Sequence, residues 1–244
     1  MAAISIHELE VRFGDCHAVR KLDLEIPQGC LYGLLGPNGA GKTTTISCLG
    51  GLRVPSGGRV TVSGVDVCAE PQKVKALVGL VPQSIALYGD LSVLENLRVF
   101  AGIHGIGGAH ARGRIAWAVA LSQLEDKRHA RVETLSGGMQ RRLNLAASLL
   151  HDPPIIICDE PTTGVDPQSR NHLFESIRQL HAQGRTIIYT SHYMEEVQAL
   201  CERVAIMDKG SLLVEDSLSS LTSDARNLEQ VFLDLTGRAL RDAS

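Results

Sequence analysis

Short segments rich in β-branched residues recur along the chain, and several are continuously apolar rather than alternating. Residues 31–35, 155–158 and 186–190 show this most clearly. Strands that are buried on both faces have such a pattern, as in a parallel sheet covered by helices. Because helical patterns lie between many strands, the fold class is α/β, with an antiparallel contribution from hairpin-like N-terminal strands. Further strands are predicted at residues 4–13, 22–26, 59–63, 78–81, 204–207 and 212–214.

Strand patterns are absent from the middle of the chain, and helical patterns take their place. Ser92 and Glu95 have the spacing of a capping box, which predicts the start of a helix. Further helical patterns cover residues 112–121 and 137–150. Together they predict a helical subdomain, at about residues 84–152, inserted into the α/β core.

The end of the chain has an amphipathic pattern. Leu228, Val231, Phe232 and Leu235 follow the i, i+3, i+4, i+7 spacing of a helix with one apolar face. This spacing predicts a C-terminal helical tail at about residues 225–244.

The composition is that of an ordinary globular chain of one large domain, since its 244 residues include 44% hydrophobic and 21% charged residues. Aromatic residues make up only 4%, which argues against a platform that stacks nucleic-acid bases. The net charge of −3 lacks the strongly basic balance of nucleic-acid-binding proteins. We therefore expect no nucleic-acid partner.

Cysteine usage and hydropathy predict a cytoplasmic protein. The six cysteines include no C-x-x-C pair, so we expect reduced thiols rather than a disulfide framework or a zinc site. No stretch reaches the roughly 18 consecutive apolar residues of a membrane-spanning helix, and Glu8 comes too early for a secretory signal. We expect the chain to reach a membrane only through a protein partner.

Residues 36–43 match G-x-x-x-x-G-K-[ST], the phosphate loop, between an apolar strand and a helix. Its glycines let backbone N–H groups approach phosphate oxygens, and the helix N-terminus adds partial positive charge. Lys42 would neutralise the β- and γ-phosphates, and the Thr43 hydroxyl would ligate Mg²⁺. The predicted nucleotide-binding residues here are Gly36, Pro37, Asn38, Gly39, Ala40, Gly41, Lys42, Thr43 and Thr44.

Two carboxylates, Asp159 and Glu160, follow the apolar strand at residues 155–158, near the edge of the sheet where α/β folds bind ligands. Adjacent residues of an extended chain face different directions, so the two groups can take different roles. We expect Asp159 on the metal side and Glu160 as the base that polarises a water, which indicates hydrolysis. The alternative is two acids in a solvated turn or capping the next helix, and a phosphate loop in the same chain disfavours it.

A second helix start suited to phosphate lies at Ser136, an N-cap residue that is followed by Gly137 and Gly138. Alone, this segment would be interpreted as a helix cap. The chain has one phosphate loop but two helix starts suited to phosphate. A two-fold dimer would explain both, because each chain's Ser136 segment would close over the other's nucleotide.

These motifs resemble, in type and order, the ATP-binding subunits of ABC transporters. The phosphate loop is followed by Leu-Ser-Gly-Gly-Met-Gln at 135–140 and by Cys-Asp-Glu-Pro at 158–161, and matching segments extend from Phe13 to about Arg241. The resemblance implies a P-loop NTPase (RecA-like) core with an antiparallel N-terminal β-subdomain and an inserted α-helical subdomain. It implies one ABC-type domain over residues 1–244, with ATP and Mg²⁺ as cofactors.

The resemblance also implies a role for each matching residue. Phe13 would stack on adenine, and the alternative is that it is a core strand residue. Gln83 would reach Mg²⁺ and the attacking water and link them to the helical subdomain. His192 would contact the γ-phosphate and hold Glu160 and water in place. Asp166 would couple two subunits across the dimer and also cap a helix. The implied catalytic residues are Lys42, Gln83, Glu160 and His192, the metal ligands Thr43, Gln83 and Asp159, and the partner-side ATP contacts Ser136, Gly137, Gly138, Gln140 and Asp166.

The tail from Asn227 and the segment around His192 resemble the ATPases of drug, antibiotic and polysaccharide exporters, whose permeases are separate chains. This subgroup implies membrane-spanning permease subunits docked near residues 83–111, and a second copy of the chain or a related ATPase. ATP would drive head-to-tail dimerisation at the inner face of the cell membrane.

Three other functions compete with transport. A soluble ABC-type ATPase acting on ribosomes or in DNA repair would generally carry a second cassette or a long insertion, and neither is present in these 244 residues. A nucleotide-binding switch without turnover would not need Glu160 and His192 together. A small-molecule kinase would leave the Ser136 segment without a purpose. The soluble ATPase is the main alternative.

Overall fold

The computed structural model describes residues 2–223 and 227–236, and within these residues ten strands form two sheets. An antiparallel sheet of order β2-β1-β4-β5 contains β1 (Ala2–Phe13), β2 (Cys16–Pro27), β4 (Gly57–Val62) and β5 (Val65–Asp66). The other sheet, of order β10-β9-β3-β8-β7-β6, contains β3 (Leu31–Leu35), β6 (Val78–Val81), β7 (Ile155–Asp159), β8 (Thr186–Ser191), β9 (Arg203–Asp208) and β10 (Ser211–Ser217).

Helices separate most strands of the second sheet, as the sequence pattern predicts for an α/β fold. The described helices are α1 (Lys42–Leu49), α2 (Pro71–Leu77), α3 (Val93–Ile103), α4 (Gly108–Ser122), α5 (Gly137–Ser148), α6 (Pro167–Ala182), α7 (Met194–Leu200), α8 (Leu218–Leu221) and α9 (Leu228–Thr236).

The central strands of the second sheet are parallel and fully buried. Every residue of β3, β7 and β8 is buried, and hydrophobic clusters cover both faces of the sheet. Strand β8 pairs with both β3 and β7, which sets Leu35 opposite Ser191 and Asp159 opposite Thr190. The carboxyl ends of the three strands therefore meet at one edge, where folds of this class bind ligands.

Helices α3, α4 and α5 occupy the stretch that was predicted to be helical, and they pack around a hydrophobic cluster of their own that includes Val93, Leu97 and Leu143. The capping box is confirmed, because Ser92 and Glu95 exchange hydrogen bonds with each other's backbone N–H groups. The prediction of a helix starting at residue 112 was late, since α4 already begins at Gly108.

The tail helix α9 packs with three of its four predicted apolar positions. Leu228, Val231 and Phe232 are buried, whereas Leu235 is 44% exposed, so the apolar face is shorter than its spacing predicted. Residues 225, 226 and 237–244 of the predicted tail lie outside the described residues.

All six cysteines are free, in agreement with the absence of paired spacings in the sequence. Cys158 lies fully buried in β7, where burial raises the pKa of its thiol to about 12 and leaves it an apolar strand residue. Among residues 2–223 and 227–236, no helix has the length and apolar character needed to cross a membrane.

Candidate nucleotide-binding site

The phosphate loop joins the end of β3 to the start of α1 and is held tightly against neighbouring backbone. A Cβ atom on Gly36 would lie 2.3 Å from the Met207 carbonyl oxygen, and one on Gly41 would lie 2.5 Å from that of Ala18. Gly41 also has a φ of 99°, which favours glycine. Only glycine therefore fits at these two positions of the loop.

A cavity of about 510 Å³ opens beside this loop. Its size suits a ligand larger than a few waters, and the residues around it bring three lysine and arginine side chains together with one carboxylate. The lining residues are Cys16, His17, Ala18, Arg20, Asn38, Gly39, Ala40, Gly41, Lys42, Thr43, Thr44, Gln83, Glu160 and Lys209.

Lys42 lies at the base of the cavity and is only 5% exposed. Its Nζ donates hydrogen bonds to the carbonyl oxygens of Gly36, at 2.7 Å, and Pro37, at 3.3 Å. The same atom lies 3.1 Å from Oε1 of Glu160, whose side chain is similarly buried. The loop thus bends around the ammonium group of Lys42, whose role toward the terminal phosphates of a nucleotide stays a prediction.

Asp159 lies beside the loop with an oxygen-rich environment. Its Oδ1 accepts hydrogen bonds from the hydroxyls of Thr43, at 3.3 Å, and Thr190, at 2.8 Å. Burial raises the pKa of this carboxyl, and the two hydroxyl hydrogen bonds offset part of that rise. A buried carboxylate next to a hydroxyl is the set of hard oxygen ligands that Mg²⁺ prefers, so these residues fit the predicted metal.

Glu160 is the point at which the predicted catalytic residues meet. Its Oε1 pairs with Lys42, and its Oε2 accepts a hydrogen bond from Nε2 of Gln83 at 3.2 Å and lies 3.1 Å from Nδ1 of His192. Its backbone has a φ of 43°, a left-handed conformation that is unusual for a non-glycine residue. Lys42, Gln83, Glu160 and His192 therefore form one cluster.

Phe13 lies at the end of β1, just before the turn to Cys16, which lines the cavity. Its ring is 45% exposed, and the Arg53 guanidinium lies 4.3 Å from the ring centre. An exposed ring with a cation on one face is not a core strand residue, so that alternative interpretation is wrong. Phe13 does not itself line the cavity, and its stacking role stays a prediction.

The Ser136 segment has the predicted local structure but lies apart from this cavity. Ser136 caps α5 by accepting a hydrogen bond from the Met139 N–H group at 3.3 Å. Ser136 and Gly137 are exposed, whereas Gly138 is buried. None of these three residues lines the nucleotide cavity of its own chain.

Gln140 and Asp166 also lie away from the cavity lining. Nε2 of Gln140 donates to the carbonyl oxygens of Val132, at 3.0 Å, and Leu135, at 3.2 Å. Asp166 caps α6 as predicted, accepting from the Ser169 N–H group at 3.0 Å, and this hydrogen bond lowers the pKa of its carboxyl. The Gln140 amide nitrogen therefore fixes the backbone before the Ser136 turn.

The sequence did not predict five residues that line the cavity, Cys16, His17, Ala18, Arg20 and Lys209, or two residues beside the catalytic cluster. Thr190 donates to Asp159 and accepts from the Glu160 N–H group at 3.0 Å, so one hydroxyl orients both acidic residues. Arg141 donates to the carbonyl oxygens of Gln83 and, at 3.1 Å, Thr163. Thr190 could have been noticed as a polar residue ending an apolar strand, whereas no local pattern identifies Arg141.

The close contact between Gly138 and Ser169 leads to a first prediction. A Cβ atom on Gly138 would lie 1.9 Å from Oγ and 2.4 Å from Cβ of Ser169, so Gly138→Ala must push α5 and α6 apart. Overpacking of this kind costs about 1–3 kcal/mol, and for a chain of this size each kcal/mol lowers Tm by about 2–4 °C. Thermal unfolding of the nucleotide-free chain measures the loss. Gly137→Ala is the matched control, because a Cβ atom on Gly137 would meet no other atom within 4 Å, and an equal loss in both variants would contradict the steric argument.

Comparison with known proteins places this site in a family. Residues 19–163, more than half of the chain, match the family described as ABC transporter. The linearmycin resistance ATP-binding protein of Bacillus subtilis is 42% identical over 220 residues, which cover 90% of this chain and 71% of that relative. Nod factor export ATP-binding protein I of Cupriavidus pinatubonensis is 42% identical over 214 residues, covering 88% of this chain and 66% of the relative.

Solved structures agree on the fold. An ATP-binding subunit of an ABC transporter superposes with a TM-score of 0.85 at 24% identity, covering 96% of this chain and 99% of the other. A dimeric bacterial ABC transporter cassette gives a TM-score of 0.78 at 25% identity, over 88% of this chain and 98% of the other. The predicted P-loop NTPase fold is confirmed.

A phosphate loop, paired carboxylates and this fold define an ATP-hydrolysing cassette. The chain belongs to the ABC transporter family. Its similarity to export and resistance ATP-binding proteins confirms the predicted class, an ATP-binding and ATP-hydrolysing subunit of the exporter type.

Proposed function

We propose that this chain powers export through separate membrane-spanning permease subunits, by closing head to tail with a second copy or a related ATPase on two MgATP molecules. The observation that carries the dimer is the Ser136 segment. It is a capped helix start at which Ser136 and Gly137 are exposed, yet it lines no part of its own chain's nucleotide cavity. A second chain in the opposite orientation would bring Ser136 and Gly138 to the other nucleotide.

The geometry of the Glu160 cluster supports a hydrolytic mechanism. Lys42 and the loop amides bind the β- and γ-phosphates, which draws the ammonium group away from Oε1 of Glu160. Glu160 then accepts a proton from the attacking water, while Gln83 and His192, both in contact with its Oε2, orient the carboxylate and the nucleophile. ADP and phosphate bridge the two chains less well than ATP, so the dimer opens after hydrolysis.

Mg²⁺ would be held by the Thr43 hydroxyl and, directly or through water, by Asp159 and Gln83. When bound, it neutralises charge on the phosphate oxygens. Thr190 keeps Asp159 oriented toward this position through its hydrogen bond to Oδ1. Gln83 uses its amide nitrogen on Glu160, which leaves its amide oxygen as an acceptor for the metal or its water.

A surface for the permease lies between the core and the helical subdomain. Leu52 and Ile103 are 61% and 65% exposed, unusually high for large apolar side chains, and Val54 and Tyr88 are exposed as well. Leu52 lines a groove of about 280 Å³ together with Phe100 and other residues of both parts. Apolar exposure around a groove marks a protein-binding surface, and it overlaps residues 83–111, where docking was expected.

A pair of substitutions tests this surface. We expect Leu52→Glu with Ile103→Glu to weaken permease binding at least about tenfold, as for apolar residues at an interface centre, while ATP hydrolysis by the isolated chain persists. Gentle solubilisation of membranes, followed by purification through this chain and identification of the hydrophobic proteins that accompany it, measures binding. Leu235→Glu is the matched control, since Leu235 is also exposed but lies on α9.

The same experiment decides between transport and the main alternative. If the unaltered chain brings down no hydrophobic protein and instead follows ribosomes or DNA, the permease and the location at the inner face of the membrane are both wrong. The relatives named for linearmycin resistance and Nod factor export suggest an exported cargo, whose contacts would belong to the permease.

A further inference from the structure

A buried carboxylate behind the catalytic cluster has no part in the mechanism described so far. Glu196, on the first turn of α7, is 4% exposed. Its Oε2 accepts hydrogen bonds from the hydroxyls of Thr162, Tyr189 and Ser191, each at 2.9 Å. Among the described residues, no lysine, arginine or histidine forms an ion pair with it, so three hydroxyls alone compensate a buried acidic group.

Two of these hydroxyls come from the segments that carry the catalytic groups. Thr162 lies two residues after Glu160, and Ser191 immediately precedes His192. Ser191 Oγ also accepts a hydrogen bond from the Tyr193 N–H group at 2.9 Å, so the backbone is held on both sides of His192. One carboxylate oxygen thus joins the turn after the base to the turn that carries the histidine.

The third hydroxyl provides a built-in comparison. Tyr189 lies within β8, where sheet pairing already fixes its backbone. The pKa of its phenol is raised, mainly by burial and also by the charge of Glu196. Its hydroxyl therefore stays a donor to Glu196. Removing it would take away one hydrogen bond to the same oxygen and the 3.2 Å contact with the Thr162 hydroxyl, but Ser191 and Thr162 would both still donate to Glu196.

We propose that Glu196 is a positioning residue, which sets the distance between Nδ1 of His192 and Oε2 of Glu160 by tying Ser191 and Thr162 to one point. It does not line the nucleotide cavity and acts only through these two turns. The proposal rests on the roles proposed above for Glu160 and His192. A misplacement of about 1 Å at a reacting group can cost about 10²-fold in rate, so the effect falls on turnover rather than on ATP binding.

The test compares variants that each remove one hydroxyl from this carboxylate. We expect Ser191→Ala and Thr162→Val to lower kcat about 10- to 100-fold, while the Kd for ATP changes less than about twofold. Tyr189→Phe is the matched control for Ser191→Ala and should keep kcat within about threefold of the unaltered chain, because the hydroxyls of Ser191 and Thr162 still donate to Glu196. Glu196→Ala should lower kcat at least as much as Ser191→Ala, and Glu196→Gln, which keeps an acceptor oxygen, should restore part of it. Equal losses of kcat in Tyr189→Phe and Ser191→Ala would overturn the proposal, because they would show a general loss of packing.

A second measurement ties the effect to His192. In a chain that already carries His192→Ala, Ser191→Ala should lower kcat no further, since the group that it positions is absent. A full additional loss would overturn the proposal. If His192→Ala alone leaves kcat unchanged, the role of His192 fails and this inference fails with it. If His192→Ala lowers kcat but Ser191→Ala does not, only this inference fails.

Discussion

Replacing Glu160 with Gln is expected to lower ATP turnover by about 10²- to 10⁴-fold, the range for loss of a general base, while ATP still binds. The amide keeps the shape of the side chain but cannot take a proton from water. It also removes the ion pair with Lys42, which lies 3.1 Å away, so the ammonium group is freed for the phosphates. The ATP-bound dimer should therefore accumulate.

Phosphate release measures the turnover, and size-exclusion chromatography with MgATP measures the dimer. Glu175→Gln is a matched control, because Glu175 has a mostly exposed side chain on α6 and lies outside the cluster. An unchanged rate of phosphate release in Glu160→Gln would exclude Glu160 as the base. A lost rate without any dimer would leave the base in place but contradict closure of two chains on ATP.

Replacing Asp159 with Asn is expected to have opposite effects on stability and activity. In the nucleotide-free chain, Asp159 is buried and lies next to the charged Glu160, and both factors raise the pKa of its carboxyl. Keeping it ionised at neutral pH therefore costs folding free energy, which Asn avoids while its oxygen still accepts from Thr43 and Thr190. Loss of a carboxylate from the metal site should lower turnover about 10²- to 10³-fold, since the metal contributes several kcal/mol.

The sign of the pH dependence follows from this raised pKa. The unfolded carboxyl ionises at lower pH than the folded one, so the stability contributed by Asp159 is present at low pH and is lost as pH rises through the folded pKa. The variant should therefore unfold at a higher temperature than the unaltered chain at neutral pH, and the difference should shrink toward acid. A gain of about 1 kcal/mol corresponds to about 2–4 °C.

Thermal unfolding across pH, with and without MgATP, checks both sides of this prediction. Added Mg²⁺ should raise the Tm of the ATP-bound unaltered chain more than that of Asp159→Asn. An equal rise in Tm with Mg²⁺ in the two chains would show that Asp159 does not bind the metal. A variant that unfolds at a lower temperature at neutral pH would show that the carboxylate stabilises the fold.

Much of this site is encoded in short stretches of sequence. The phosphate loop is recognisable because its glycines are required locally, as the backbone contacts at Gly36 and Gly41 demonstrate. The capping box at Ser92 and the caps at Ser136 and Asp166 are equally local, since each side chain bonds to backbone within its own first turn. Such features depend on neighbours in the chain, and a single sequence reveals them.

The sequence-based predictions were wrong or incomplete where side chains from different helices, strands and loops meet. Four apolar positions at helical spacing predicted the tail helix, but only three of them are buried, and Leu235 is exposed. Arg141 was missed because its acceptors, the carbonyl oxygens of Gln83 and Thr163, belong to loops that are distant in sequence. Backbone carbonyls carry no sequence signature, so no motif marks their donors.

The sequence by itself determined the strand and helix types, the phosphate loop and the identity of the acidic, glutamine and histidine groups, because periodicity and local caps act over a few residues. Only the tertiary structure decided that Glu160 receives Lys42, Gln83 and His192 at once, and that Glu196 ties together the turns beyond two strands. The pairing of β8 with both β3 and β7 brings these groups to one edge. Strand order is set by burial of both sheet faces over the whole chain, which no local pattern contains.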